Sequence, residues 1–280
     1  MAAVSPPTRA VRTLAEVDQS AVVDLAGVES SSSARARAAG AFDASMRTAG
    51  YAVVVRHGIH PRLVARTFDA LRTFFAMPQS TKRSLADDRD GLGYRGDDGP
   101  AGSEAFVAHP GHDPRRAANR WPDGVIGFRE TLVAYTAGAA SLVERLALLG
   151  ALALGHDEQS VAPALVGAGL TLRADRHGGA GPAARPPDGP ATWLTVVGVD
   201  GVDGLELVDS AGTWRAVDTP RGSLVVHAGA PFVQLSGGRW SPSCHRVLSA
   251  SAPRVAVALQ LAPDGAGAGA RPDVGVVRVA

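Results

Sequence analysis

Cysteine is almost absent from this 280-residue chain, because Cys244 is the only one. A single cysteine excludes an internal disulfide and is typical of a protein kept in a reducing compartment. Long apolar runs are missing too, since no stretch reaches the ~18 uninterrupted apolar residues that a membrane-spanning helix needs. The first fourteen residues carry two arginines and no apolar core, so they do not resemble a secretory signal. We therefore expect a cytoplasmic protein with no membrane partner.

An excess of charge of either sign is also missing. The chain has 28 basic and 27 acidic residues and a formal net charge of +1. This balance gives no surplus of positive charge for nucleic acid, so no nucleic-acid partner is expected. The hydrophobic fraction of 45% is ordinary for a globular protein, and the length is sufficient to bury a sizeable core. A small-molecule partner is the remaining expectation.

The first half of the chain alternates predicted strands and helices. Runs of β-branched residues predict strands at Ala21–Leu25 and Tyr51–Val55. Helices are predicted at 34–48, after serines that can cap its start, and at about 61–75, where a proline suits the first turn. Residues 87–116 are rich in Gly, Asp, Pro and Arg, which indicates a long surface loop.

The second half begins with the most regular helical pattern. Apolar residues recur at alternating steps of four and three from Phe128 to Ala153, which predicts a helix covering a sheet. From Leu170 onward, short β-branched runs separated by Gly, Pro and Asp indicate antiparallel strands. Arg254–Leu261 alternates in character, so that Arg254 shares a face with small residues. Such a face suits the lining of a cavity.

Six short phrases, in order along the chain, resemble the isopenicillin-N-synthase-like branch of the Fe(II)/2-oxoglutarate oxygenases. The resemblance covers residues 20 to 262. The phrases are Val22–Leu25, Gly50–Ile59, Phe74–Pro78 with Lys82, Asn119–Pro122 with Phe128–Glu130, Trp193–Leu207, and Ser243–Val247 followed by Arg254.

The resemblance implies a mixed α/β fold, with a double-stranded β-helix (jelly roll) core and flanking N-terminal helices. On this basis residues 1–126 form an N-terminal oxygenase-like region and residues 127–262 a helix-backed jelly-roll core. Residues 263–280 form a C-terminal tail. A fold does not fix an activity, so the function has to be argued from the site.

At the iron site implied by the resemblance, this chain departs from the family. Such oxygenases hold iron with two histidines and one carboxylate, and a His-x-Asp triplet supplies two of these ligands. Asp188 and Pro190 stand at the triplet here, and His245 alone keeps the family's residue. Proline has no ligating side chain, so we expect no metal at this place. If a metal binds, His245, Asp188 and His227 are the expected ligands.

The cosubstrate site implied by the resemblance also differs from the family's. Arg254 stands where an arginine clamps the distal carboxylate of 2-oxoglutarate, but Ala256 replaces the serine that follows it. His177-Gly178 stands at the family's Tyr-Pro pair, and His227–Ala230 at its Asn-x-Gly-Asp. We therefore expect no cofactor, with Fe(II) and 2-oxoglutarate as the alternative.

The resulting hypothesis is a small-molecule tailoring enzyme, of bacterial specialised metabolism, that has lost the iron ligands. It would act without iron and 2-oxoglutarate, by acid-base catalysis of a cyclisation, elimination or isomerisation. His245, His227 and Asp188 would be its catalytic groups. Arg254, Trp193 and His177 would bind the substrate, for which a carboxylate-bearing molecule is one option.

Two other functions stay open, and each residue has a plainer role. The chain could be an Fe(II)/2-oxoglutarate-dependent oxidoreductase with a rebuilt metal site, or a non-catalytic ligand-binding or partner protein. His227 and Trp193 could simply pack in the core, and Asp188 could belong to a turn. His177 could be solvated in a glycine-rich loop, and Arg254 could be an ordinary ion-pair partner.

Overall fold

The computed structural model describes residues 21–86, 91–96, 103–109, 118–157, 168–178, 181–184, 192–200, 204–209, 211–217, 219–220, 222–241, 243, 245–249 and 253–263. Asp188, Pro190, Cys244 and the tail expected at 263–280, apart from its first residue, lie outside them. The division into three regions therefore stays a prediction.

Within the described residues, five helices precede or connect the strands. They are α1 (Ser32–Thr48), α2 (Pro61–Phe75), α3 (Gln79–Arg83), α4 (Phe128–Ala153) and α5 (Ala230–Leu235). The Ser31 side chain accepts a hydrogen bond from the Ala34 amide and so caps α1, as the serine run predicts.

In the part of the chain that the structure describes, twelve strands form two sheets. The strands are β1 (Val22–Asp24), β2 (Tyr51–Val55), β3 (Gly93–Arg95), β4 (Glu104–Ala108), β5 (Ala168–His177), β6 (Gly181–Ala184), β7 (Leu194–Val199), β8 (Leu205–Val208), β9 (Trp214–Ala216), β10 (Leu224–Ala228), β11 (His245–Ser249) and β12 (Arg254–Pro263). The large sheet has the order β1-β2-β10-β7-β12-β5-β4-β3, and the small sheet has the order β6-β11-β8-β9.

Strands β5 to β12 make up the jelly roll. Four of them, β10-β7-β12-β5, are the centre of the large sheet, and the other four are the small sheet. All neighbours within these two groups are antiparallel. The expected fold is confirmed. The N-terminal half extends the large sheet at both edges, with β1 and β2 beside β10 and with β4 and β3 beside β5.

The loop predicted at 87–116 is wrong in its middle part, because β3 and β4 lie inside it. Every residue of β4 is buried, and β4 pairs with β5 from Glu104 opposite Arg176 to Ala108 opposite Leu172. Glycine, proline and aspartate around this strand conceal it in the sequence. Phe106 nevertheless packs edge-on against Phe128 of α4, with ring centroids 5.2 Å apart.

Helix α4 supplies much of the core beneath the large sheet. It has the length and apolar composition to cross a membrane, but half of its most apolar window is buried against the protein. Leu132, Leu142 and Leu146 on its buried face belong to one cluster with Val257 and Leu259 of β12. The length of α4 therefore serves the core, as its periodicity predicts.

A buried ion pair ties the N-terminal half to this core. The ammonium of Lys82, the chain's single lysine, lies 2.6 Å from Oε1 of Glu104 and 2.9 Å from the carbonyl oxygen of Phe75. The Tyr94 hydroxyl donates to the same carboxylate at 2.9 Å. Burial and this hydrogen bond raise the pKa of Tyr94 to about 12. The network joins α3 to strands β3 and β4.

Candidate active site

The two faces of the large sheet have different partners. On β12, Val257 and Leu259 contact the helix-side core, whereas Ala256 and Ala258 belong to a second cluster with Val247 of β11. This second cluster fills the space between the two sheets of the jelly roll. We call the side of the large sheet that faces the small sheet the inner face. Arg254 shares it with Ala256 by strand alternation.

A pair of histidines bridges the two sheets. His227 stands on the inner face near the end of β10, and His245 stands at the start of β11 in the small sheet. Nε2 of His227 lies 3.1 Å from Nδ1 of His245. The two residues are 1% and 6% exposed, so water has little access to the pair. Two imidazole nitrogens at this distance can share a proton or face a common ligand.

The backbone around each histidine fixes its place. After β10 the chain passes so close to β7 that a Cβ on Gly229 would lie 1.8 Å from the carbonyl oxygen of Thr192. Only glycine allows this approach, which anchors the end of the strand that carries His227. Before β11, the Ser243 hydroxyl donates to the carbonyl oxygen of Val208 at 2.7 Å and holds the segment leading to His245.

A row of polar residues crosses the inner face at the level of His227. The strand register places these residues side by side on β2, β10, β7, β12 and β5. They are Tyr51, His227, Thr195, Gln260 and Thr171. At the end of the row, Oγ1 of Thr171 lies 3.3 Å from Nδ1 of His109. The sequence signals Gln260 through the alternation of β12, but the other members become visible only in the register.

Arg254 lies at the opposite end of β12 from Gln260. It is partly buried and pairs in register with His177, the last residue of β5. His177 is therefore part of a strand. The alternative that it is solvated in a glycine-rich loop is wrong about the loop. Two positions along the same face, Asp175 forms an ion pair with Arg173, whose Nη2 and Nε lie 2.7 and 2.8 Å from Oδ1 of the carboxylate. Three charged side chains thus stand on the inner face of two adjacent strands.

The remaining predicted residues do not join the histidine pair in the described part of the chain. Trp193 packs edge-on against Phe232 of α5, with ring centroids 5.5 Å apart. This contact belongs to the hydrophobic core, as expected if Trp193 has a packing role and does not bind substrate. The described residues contain no group of three or more His, Cys, Asp or Glu side chains that could hold a metal. A third ligand would have to come from the segments outside them, where Asp188 lies.

Known proteins resemble this chain over most of its length. Validamycin A dioxygenase of Streptomyces hygroscopicus subsp. limoneus is 33% identical over 258 residues, which cover 79% of this chain and 69% of that protein. The chain belongs to the Fe(II)/2-oxoglutarate oxygenase superfamily. The superfamily's "non-haem dioxygenase in morphine synthesis N-terminal" region also matches residues 21–124.

One further relative and one solved structure are also similar to this chain. A "2-oxoglutarate-Fe(II) type oxidoreductase" of Aspergillus fumigatus is 25% identical over 242 residues, or 72% of this chain and 69% of that one. The full-length Neurospora crassa structure with alpha-KG and 5-formyluracil has a TM-score of 0.76 at 19% identity. The aligned region covers 89% of this chain and 88% of the Neurospora chain. The two proteins have the same fold. The expectation of an enzyme of the iron/2-oxoglutarate superfamily is confirmed by these relatives.

The expectation that the protein uses no cofactor is wrong. Relatives of the superfamily are Fe(II)/2-oxoglutarate-dependent enzymes, as the Aspergillus protein's name states. Loss of the iron ligands and acid-base catalysis without iron find no support in these relatives. The error came from treating Asp188 and Pro190 at the positions of the family's triplet as sufficient evidence against iron.

The histidine pair fits a metal ion. Two nitrogens bound at right angles to one metal, each at ~2.1 Å, lie ~3.0 Å apart. Nε2 of His227 and Nδ1 of His245 are 3.1 Å apart. Imidazole is a ligand that iron accepts, and the pair is buried between the sheets. The spacing and chemistry of the pair are compatible with two ligands of one metal.

Proposed function

We propose that the protein is an Fe(II)/2-oxoglutarate-dependent oxidoreductase with a rebuilt iron site, acting on a small organic molecule. His227 and His245 would provide two imidazole ligands, and Asp188 would provide the carboxylate. The observation that carries the proposal is the separation of 3.1 Å between the two imidazole nitrogens, bridging opposite sheets in the interior of an oxygenase fold.

The chain is long enough to bring Asp188 to this pair. Strand β6 ends at Ala184, which pairs with Arg246, the residue next to His245. Asp188 follows four residues later, and four extended residues span at most ~14 Å. A carboxylate at this point would complete a set of two histidines and one carboxylate, which leaves coordination positions for cosubstrate and dioxygen.

Arg254 supports a role for 2-oxoglutarate. Its guanidinium belongs to the inner face, beside His177 in the register, and small alanines follow it on the same face. A planar guanidinium can bind a carboxylate through two parallel hydrogen bonds. Arg254 would hold the distal carboxylate and so orient the other end of 2-oxoglutarate toward the histidines.

The polypeptide's own contribution is to hold, orient and exclude water. When bound, iron and 2-oxoglutarate would activate dioxygen, which is the oxidant for reaction at a substrate carbon. Burial of His227 and His245 keeps water from their nitrogens, and both rings must be neutral for binding. The polar row offers the hydroxyl groups of Thr195 and Thr171 and the amide of Gln260 along the same face.

The substrate class follows from the relatives by analogy. The similar Streptomyces protein is named for its action on validamycin A. We infer a tailoring step on a small molecule of bacterial specialised metabolism, with oxidation as the reaction type. A carboxylate on the substrate would find Arg173 on the same inner face.

Turnover of 2-oxoglutarate tests the function. The protein is loaded anaerobically with ferrous iron and exposed to dioxygen and 2-oxoglutarate, and succinate is measured. The wild type should form succinate slowly even without substrate, and His245→Ala and His227→Ala should fall to background. His156→Ala, a half-buried histidine after α4, should match the wild type. Succinate formation by the wild type that does not exceed that of His245→Ala would contradict the proposal.

A further inference from the structure

A cavity lies at the end of the large sheet away from the histidine pair. Its volume is about 1010 Å³, at the upper end of the range of about 300–1,000 Å³ for small-molecule sites. Ser223, the residue before β10, lines it, whereas His227 stands near the end of that strand. The turn after β2, helix α2 and the end of β7 form its other walls. The cavity is therefore separate from the proposed iron site.

Much of the cavity wall is apolar. Side chains of the turn after β2, of α2 and of β7 contribute, and the apolar set is Ile59, Val64, Phe68, Val197 and Val199. The ring of Phe68 is buried in the helix-side core, so this part of the wall is fixed. Such a surface favours a ligand with an apolar body.

The polar groups of the wall are mostly hydrogen-bond donors. Arg56 and Arg72 contribute guanidinium groups, and Asp200 contributes the single carboxylate of the described wall. Arg72 contacts Asp200 at 3.3 Å, and Nε of Arg56 donates to Asp24 at 2.6 Å. Each guanidinium has five N–H groups, so further donors remain for a ligand. Arg72 also contacts Asp69 at 2.6 Å, so both arginines are ion-paired and a ligand would use their remaining N–H groups, not a surplus of positive charge.

Arg56 occupies an unusual backbone conformation. Its φ is 52°, and it is the only residue other than glycine with positive φ in the described part of the chain. The left-handed region is unfavourable for a residue with a Cβ, so glycine would fit this turn better. An arginine here places a guanidinium at the cavity in spite of the backbone strain.

One buried group in the wall has no hydrogen-bond partner. Thr219 is 8% exposed, and its Oγ1 finds no partner among the described residues. A buried hydroxyl without a hydrogen bond is destabilising, and such groups are rare in folded proteins. Because Thr219 lines the cavity, a polar atom of a bound ligand could satisfy it.

The N-terminus of α2 adds a further donor beside Thr219. His60 caps this helix, and its Nδ1 accepts a hydrogen bond from the Arg62 amide at 3.2 Å. The proton of a neutral imidazole is therefore on Nε2, which is left to donate. The positive end of the helix dipole favours an anion at the same place.

We propose that this cavity binds a small amphipathic carboxylate, independently of the iron site. The apolar body would lie against Phe68 and Val64. The carboxylate would accept hydrogen bonds from Thr219, His60 and the two arginines. The combination of a buried unsatisfied hydroxyl, a donor-rich rim and an apolar interior is what such a ligand requires.

Calorimetric titration with 4-phenylbutyrate tests the proposal, and its uncharged amide serves as the matched probe. The carboxylate should bind, and the amide should bind at least about tenfold more weakly because it lacks the charge-assisted hydrogen bonds. Thr219→Val should weaken binding of the carboxylate several-fold. Ala65→Trp, which fills the cavity from the exposed side of α2, should abolish it.

Controls separate this site from the rest of the protein. Arg66→Ala lies on α2 away from the cavity and should leave binding unchanged, as should Arg254→Ala at the proposed 2-oxoglutarate site. Thermal melts of each variant verify folding. The proposal is overturned if 4-phenylbutyrate fails to bind at millimolar concentration, if Ala65→Trp and Thr219→Val bind it like the wild type, or if Arg254→Ala abolishes binding.

Discussion

His227 and His245 are eighteen residues apart and belong to opposite sheets, yet Nε2 of one lies 3.1 Å from Nδ1 of the other. Both are buried. The two histidines are far apart in the sequence. They come into contact because the jelly roll brings the end of β10 against the start of β11. This contact is the structural basis for assigning iron to a chain whose His-x-Asp positions hold Asp188 and Pro190.

Arg254 should control the affinity for 2-oxoglutarate. Arg254→Gln removes a charged hydrogen-bonding fork, an interaction of about 1.5–3 kcal/mol, so KM for 2-oxoglutarate should rise at least about tenfold. kcat should change much less, because the residue lies away from the histidine pair. Initial rates at varied 2-oxoglutarate measure both constants. Arg215→Gln, on the exposed β9, is the control, and an unchanged KM in Arg254→Gln would refute the assignment.

Asp188 should contribute the negative ligand. Asp188→Asn keeps the size of the side chain and removes its charge, so ferrous affinity and succinate formation should both fall. Asp188→Glu should retain part of each. Asp123→Asn changes an exposed carboxylate and should have no effect. Equal iron binding in Asp188→Asn and the wild type would mean that the carboxylate ligand is another residue.

The buried pair of Lys82 and Glu104 should be important for stability. Lys82→Met leaves a buried carboxylate without its nearest cation, and loss of one partner of such a pair costs about 3 kcal/mol. Urea unfolding measures this change. The double variant Lys82→Met with Glu104→Gln should recover part of the loss, because no buried charge is then left uncompensated. Additive effects of the two substitutions would contradict direct coupling.

His57 should make stability fall in weak acid. Burial, opposed by its hydrogen bond to the Gly222 carbonyl oxygen and assisted by nearby Arg145, lowers the pKa of His57 below 6.5. The unfolded chain therefore binds the proton more readily than the folded one. The contribution of neutral His57 to the free energy of unfolding is complete above pH 6.5. It is lost as the pH falls from 6.5 through the lower pKa that His57 has in the folded protein.

Urea unfolding of the wild type and His57→Gln at pH 7.5 and 5.0 measures this contribution. The wild type should lose more stability between the two pH values than the variant, since glutamine does not titrate. All other groups are common to both proteins, so the difference between their two losses of stability is the relevant quantity. Equal losses would assign the pH dependence to other groups.

Periodicity is sufficient to predict much of this fold. The apolar repeat from Phe128 to Ala153 has the same bounds as the observed helix α4, because one continuous face packs on the sheet. The alternation of β12 places Arg254 with Ala256 and Ala258 on one face, which the two core clusters reproduce. These predictions succeed because each depends on local spacing alone.

Other features depend on contacts between strands that are distant in the sequence, so they cannot be predicted from local patterns. Strand β4 is buried only because β5 pairs with it, and its five residues give too short a pattern among glycines and aspartates. The 3.1 Å contact of His227 and His245 requires knowledge of the register in both sheets. Thr219 is a candidate ligand-binding residue because its buried hydroxyl has no hydrogen-bond partner among the described residues, and only the packed structure shows this.

The most direct test of the rebuilt iron site is anaerobic equilibrium dialysis against ferrous iron, with the metal content of each variant measured. The wild type should bind about one iron per chain, in the stoichiometry of a two-histidine, one-carboxylate site. His227→Ala and His245→Ala should each lose more than about 100-fold in affinity, beyond the 10–100-fold that loss of an outer-shell partner costs. His156→Ala should bind like the wild type. Failure of the wild type to bind iron, or wild-type affinity in His227→Ala, would contradict the account.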